Sequence, residues 1–147
     1  MTVPRQRRRR HGGNAILEFA VGFGVLFLSL SGAAQYGYSM YVYNCLETAV
    51  SGGAAFASRA TLDTRNSAFE TEVKNVVVYG SPSGTGAALA PGLTTAAVSV
   101  VRTPSSGFPD RITISISSIT VNTVFRTFTF TGKPSVSVRF SGKYRTE

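Results

Sequence analysis

Apolar residues run almost unbroken from Ala15 to Ala34, interrupted by Glu18, Ser29 and Ser31. About 20 helical residues are enough to cross a hydrocarbon core of roughly 30 Å, so the run predicts a membrane-spanning helix. Past Ala34 the pattern turns amphipathic without an obvious break. Tyr36, Met40, Tyr43, Leu46 and Val50 fall at helical spacing, with Gln35, Asn44, Glu47 and Thr48 between them. Gly52-Gly53 weakens a helix there but need not end it. The pattern therefore predicts one helix from about Asn14 to about Ser58, roughly 65 Å long at 1.5 Å per residue. Only its inner half fits in a bilayer, and its outer half must pack on a domain or on other subunits.

A second helix is predicted from Thr64 to about Val78. Asp63 or Thr64 offers an N-cap, Glu70 and Glu72 fall in the first half, and Phe69, Val73, Val76 and Val77 form the face to be buried. A loop rich in turn formers follows, Gly80-Ser81-Pro82-Ser83-Gly84-Thr85-Gly86 and later Pro91-Gly92. It lacks the Gly-Lys-Ser/Thr ending of a phosphate-binding loop, and no predicted strand feeds it toward a helix.

The remainder reads as strands. Val98 and Val100 alternate with Ser99 before a break at Thr103–Pro109. Ile112, Ile114 and Ile116 alternate with Thr113 and Ser115. The apolar register then shifts by one at Ser117-Ser118 to give Ile119 and Val121, where a bulge would absorb the extra residue. Phe128 and Phe130 come next, then Gly132-Lys133-Pro134 as a turn, then Val136, Val138 and Phe140. A sheet with one apolar face needs a cover, which the outer half of the long helix and the second helix can provide. The expected fold class is α+β: a long N-terminal helix whose inner half is transmembrane, a second helix, and a small antiparallel sheet of three to four strands.

Charge refines this picture. The chain carries a formal +8, from 15 Lys+Arg and 7 Asp+Glu, which alone suggests a nucleic-acid partner. The distribution argues otherwise. Arg5, Arg7, Arg8, Arg9 and Arg10 lie within positions 1–13, and the remaining 10 basic and 7 acidic residues leave +3. No nucleic acid is expected. From Gly12 to Ser58 there is no Lys or Arg, so the arginine cluster beside the span places the N-terminus inside and the C-terminus out. The expected organisation is a basic leader over 1–13, the transmembrane half of the helix over 14–34, and an exported α+β domain over 35–147.

The single cysteine, Cys45, excludes an intrachain disulfide. It is read either as a small packing residue or as an intersubunit or attachment point. The one histidine, His11, lies in the leader, so beyond it there is no Ser-His or Cys-His pair and no Cys/His metal spacing. Glu70 and Glu72 are two apart and point different ways on a helix. Neither an enzyme nor a metal or other cofactor is expected.

The apolar segment itself allows three readings: an ordinary signal peptide cut near Ser31-Gly32-Ala33, a plain membrane anchor, or an anchor built for assembly. The run is longer than the roughly 7–15 residues of a signal-peptide core, and Glu18 would sit inside that core. A carboxylate in a span is expensive and usually kept for a function. Small residues recur four apart, Ala20 and Gly24 on one stripe and Ser29, Ala33 and Gly37 on another, which lets helices approach closely in lipid. Tyr36, Tyr38, Tyr41 and Tyr43 fall where an interfacial aromatic belt is expected, with core or subunit packing as the competing reading.

Two stretches resemble TadE-like pseudopilins of the tight-adherence (Flp) branch of type IV pili. One is Gly13-Asn14-Ala15-Ile16-Leu17-Glu18-Phe19-Ala20, the family's Gly, four residues, then Glu and an aromatic. The other is Val73-Lys74-Asn75-Val76-Val77-Val78-Tyr79-Gly80, followed by Pro91-Gly92-Leu93-Thr94-Thr95. The resemblance covers most of the chain and is least specific over its last 45 or so residues. It implies a pilin-like fold and cleavage by a prepilin peptidase between Gly13 and Asn14. Cleavage after Gly12 is the alternative and would move Glu18 from fifth to sixth position. The implied partners are the peptidase, other pilins and pseudopilins, the assembly platform and the inner membrane. The implied function is that of a minor pilin or pseudopilin in pilus assembly or initiation.

Cleavage would create an amine at Asn14, one helical turn above Glu18. A carboxylate in apolar surroundings is stabilised by a nearby opposite charge, its own N-terminus or a neighbouring subunit's. In pilins the neighbour is favoured, because the pair sets axial register. Glu18 can also snorkel to the inner interface. Two further functions compete: an adhesive binding module that uses loops 80–92 and 103–109, and an uncleaved, membrane-anchored envelope protein.

Overall fold

The computed structural model of the chain describes residues 12–63, 68–105, 108–123 and 126–145. The fold is α+β, with a long N-terminal helix, a second helix, and antiparallel sheets of three and two strands. Two compact units divide the chain after Gly37.

The described part of the first unit is entirely helix α1, which spans Gly12–Ala57 in 46 residues. In lipid, a lone apolar, proline-free stretch satisfies its own backbone polar groups only as a helix, and glycines are tolerated there more readily than in soluble helices. Gly52-Gly53 does not end α1, as its sequence context allowed.

In the second unit, the outer half of α1 buries Ser39, Val42, Leu46, Ala49, Val50, Gly53, Ala54 and Ala57. These recur every three or four residues, so they form one face. This face corrects the expected one. Of the predicted stripe only Leu46 and Val50 reach the core; Met40 is 43% exposed, and Tyr43 is half-buried against Phe130, ring centroids 5.5 Å apart. Side-chain size misled the expectation. Helix α2 (Ala68–Tyr79) sits so close to α1 that a Cβ at Gly53 would fall within the Val77 side chain, so small residues define the contact.

Helix α2 buries Phe69, Val73, Val77 and Val78. Val76, expected on this face, is half-buried, and Val78 takes its place where the following loop returns, with Leu89 N–H donating to Val78 O at 2.8 Å. Lys74 and Glu70 pair across one turn at 2.9 Å. Of the two expected N-caps, Asp63 lies in a short strand and Thr64 lies outside the described residues.

That short strand, β1 (Leu62–Asp63), pairs in parallel with β7 (Tyr144–Arg145). Next to it, Ser141 donates from both N–H and Oγ to Ser58 O, at 2.9 and 3.0 Å, which ties the end of the described chain to the end of α1. Phe69 and Phe140 meet edge to face, with centroids 6.5 Å apart.

Strands β2 (Val98–Ser105), β3 (Phe108–Ile116) and β6 (Ser135–Arg139) form the three-stranded antiparallel sheet in the order β2-β3-β6. The predicted break at Thr103–Pro109 is instead the far end of the β2–β3 hairpin. Pairing continues through Pro104↔Pro109 to Ser105↔Phe108, with a register shift between Thr103 and Pro104. Ile112, Ile114 and Ile116 are fully buried at the centre of the sheet.

The bulge expected at Ser117-Ser118 is not a bulge. Ser117 is where the chain leaves one sheet for another: β4 (Ser118–Asn122) pairs with β5 (Thr127–Thr131) in a separate two-stranded sheet. Ser117 N–H donates to Ala97 O at 2.8 Å, and its carbonyl accepts from Gly132 N–H at 3.2 Å. Ile119 and Val121 are thereby buried on the inner face of the new sheet. One core joins the buried face of the outer half of α1, α2, Ala90, Leu93 and the inner faces of both antiparallel sheets.

Candidate functional site

The residues singled out in the N-terminal segment lie on α1. Gly13 and Asn14 fall in its first turn, Glu18 follows Asn14 by one turn, and all three are exposed. The basic leader, Arg5 to Arg10 with His11, lies outside the described residues. The helix brings Asn14 and Glu18 onto one face through their four-residue spacing.

The small-residue stripes are open on their helix. Ala20, Ser29, Ala33 and Gly37 are exposed and Gly24 is half-buried; a Cβ added at Gly24 or Gly37 would meet nothing within 4 Å. Ser29 Oγ donates to Val25 O at 2.8 Å, so this hydroxyl in the apolar run satisfies itself on its own helix.

Ten large apolar side chains between Ile16 and Leu30 are each more than half exposed, from 53% to 73%. A contiguous apolar surface of this kind marks a membrane or protein contact. By length and composition α1 is able to cross a membrane. Sequence reasoning missed one feature here: Phe19, Phe23 and Phe27 stack along one side of α1, with centroids 6.2 and 6.3 Å apart. Their four-residue spacing was the signal.

The tyrosines divide. Tyr36, Tyr38 and Tyr41 are exposed, whereas Tyr43 packs on Phe130. Cys45 is a half-buried free thiol in a groove of about 280 Å³ formed with Tyr41, Asn44, Thr48, Ala49 and Leu89. Its hydrogen bond with the Tyr41 hydroxyl, and then its electrostatic interaction with that group, raise the Tyr41 pKa above its ordinary value.

Loop 80–92 is fastened to α2. Asn75 Nδ2 donates to Pro82 O at 3.0 Å, and the hydroxyls of Ser81, Ser83 and Thr85 bond to one another at 2.8 and 3.0 Å. Loop 103–109 is mostly paired strand, with Ser106-Gly107 outside the described residues. Among the described residues, no group of three or more His, Cys, Asp or Glu side chains gathers where a metal ion could be held.

Compared with known proteins, the chain matches no family model, no curated protein and no solved structure.

Proposed function

We propose that the chain is a minor pilin or pseudopilin of the tight-adherence type, anchored in the inner membrane and used in assembly or initiation of a pilus. The observation that carries this reading is α1. One uninterrupted helix bears an apolar span, a carboxylate at Glu18 one turn after Asn14, and the core-forming face of an α+β unit. A plain anchor needs the span but has no use for an acid five residues past a glycine.

On this reading the arginine leader stays in the cytoplasm and is removed by a prepilin peptidase between Gly13 and Asn14. The remainder of the chain, from the outer half of α1 onward, lies on the exported side. The new amine of one subunit meets Glu18 of the next and sets axial register. The open stripes at Ala20, Gly24, Ser29, Ala33 and Gly37 receive neighbouring spans, because small residues let helix backbones approach in lipid. The role is structural, without catalysis or cofactor.

Mass spectrometry of the protein from its native membrane tests this. A mature chain that starts at Asn14 is expected. A chain that starts at Met1 or near Gln35 overturns the reading, as the marks of an uncleaved anchor and of an ordinary signal peptide respectively.

A further inference from the structure

Two contacts fix the direction of the strands along the outer half of α1. Phe130 of β5 packs on Tyr43, near the Tyr38 end of the second unit. Ser141, just past β6, bonds to Ser58 at the other end. The path from β5 to β6 therefore follows α1 away from the span, and the β4–β5 ladder ends on the span side, at Asn122↔Thr127. Helix α2 runs the opposite way. Phe69 in its first turn meets Phe140 beside the Ser58 end, and Leu89 in the loop after α2 shares a groove with Tyr41. Loop 80–92 thus returns to the span side as well.

Charge follows the same axis. Residues 80–97 hold no charged residue, and residues 112–132 hold one, Arg126, which is exposed beside the ladder end. On α1, Glu47 is the only charge from Gln35 to Ser58. At the far end, by contrast, Arg59, Arg111, Arg139, Lys143 and Arg145 are all exposed. Tyr38, Met40, Tyr41 and Leu89 are exposed at the uncharged end. Heights along the axis agree with a membrane there. The helix rises about 13.5 Å from Ala34 to Tyr43, and β5 runs back about 10 Å from Phe130 to Thr127. The ladder end therefore comes close to the level where the apolar run stops, inside a headgroup layer of about 5–8 Å.

We infer that this end of the second unit rests on the lipid headgroup layer, with Tyr41 and Leu89 in the interface and Arg126 on lipid phosphate. Tyrosine is favoured at membrane–water interfaces, and an exposed apolar side chain such as Leu89 gains by leaving water there. A basic side chain is drawn to an anionic leaflet within a Debye length of its surface. A bilayer suits this end better than a second copy, because the span brings the bilayer beside it. Four helical residues, about 6 Å, separate Tyr38 from the end of the apolar run at Ala34. The docked unit turns its charged far end away from the membrane. The inference rests on the anchoring of α1 proposed above, and not on cleavage or assembly.

The test uses the full chain in nanodiscs of phosphatidylcholine and phosphatidylglycerol, in a Cys45→Ser background with one fluorescent label per variant. Labels go on Ala88→Cys and Thr127→Cys at the contact, Arg59→Cys at the far end and Leu26→Cys in the span. Lipid with a nitroxide headgroup is expected to quench the Ala88→Cys and Thr127→Cys labels strongly and the Arg59→Cys label hardly at all. Read by the Ala88→Cys label, Arg126→Ser should lower the ratio of docked to undocked protein about fivefold, the effect of one basic residue at an anionic surface. Arg111→Ser, the same charge change at the far end, should leave that ratio unchanged, and Arg126→Lys should retain it. Equal quenching at the three labels outside the span, with the Leu26→Cys label in hydrocarbon, overturns the docking and leaves the anchor standing. A Leu26→Cys label exposed to water overturns both. Shielding of the Ala88→Cys label from aqueous iodide that grows with the protein-to-nanodisc ratio, without quenching by lipid, would assign this end to a second copy instead.

Discussion

Gly53 of α1 and Val77 of α2 share a single point of contact: a Cβ on residue 53 would fall within the Val77 side chain. Gly52, its neighbour, has no atom within 4 Å of the same construction. The two glycines look equivalent in the sequence and are opposite in role. Gly53→Ala should destabilise the second unit by about 1–3 kcal/mol through overpacking. Gly52→Ala should be neutral or stabilise by about 0.5–1 kcal/mol, since alanine is the better helix former. Thermal unfolding in detergent, followed by circular dichroism, distinguishes them. In the Gly53→Ala background, Val77→Ala should cost less than it does alone, because the two sites are in contact. Strict additivity would contradict the close approach.

The sheet gives a second contrast. Ile114 is fully buried on the central strand β3, whereas Thr120 on β4 is exposed on the outer face of its sheet. Ile114→Ala should cost about 2–5 kcal/mol. Thr120→Ala should change stability by no more than about 0.5 kcal/mol. Chemical denaturation midpoints at constant slope measure both, and similar costs for the two would mean the inner face has been misassigned.

The turn between β5 and β6 supplies a third. Gly132 has φ +67° with open space where a Cβ would stand, so a substitution there meets a backbone penalty and no clash. Gly132→Ala should cost about 1–2 kcal/mol. Gly132→Asn should cost less, because asparagine visits the left-handed region more readily. If alanine and asparagine were equally tolerated in a melting experiment, the turn would not hold this conformation in solution.

These contrasts show where periodicity was informative and where it was not. The alternation of Ile112, Ile114 and Ile116, and the four-residue spacing of Phe69, Val73 and Val77, reported the buried faces because side-chain direction follows backbone period. The face of α1 was harder to read. Four of its eight buried residues, Ala49, Gly53, Ala54 and Ala57, are small, and small residues carry little hydrophobic signal. Pro104 and Pro109 suggested a break because proline is confined to edges and bulges of sheets. The hairpin accommodates them with a register shift at Thr103/Pro104. The change of sheet at Ser117 mimicked a bulge in the sequence, since both move the apolar parity by one. At the N-terminal segment, the spacing from Asn14 to Glu18 was legible as one helical turn, while the charge that would answer Glu18 arises only from a cleavage or from a second chain.

That last relationship yields the decisive functional prediction. Glu18 is exposed on α1, within a surface of exposed Ile, Leu, Phe and Val. If its role is to meet a neighbouring subunit's amine, Glu18→Ala should leave membrane insertion and cleavage after Gly13 largely intact, because removing a charge makes the span more apolar, not less. Incorporation into sheared filaments should fall. Glu18→Gln should behave like alanine, since an amide keeps the shape and loses the charge. Glu18→Asp should retain part of the function. Immunoblots of sheared pili against inner-membrane fractions separate the two steps. Normal piliation with alanine or glutamine would leave Glu18 as a carboxylate that merely snorkels to the interface, and the register role would be lost.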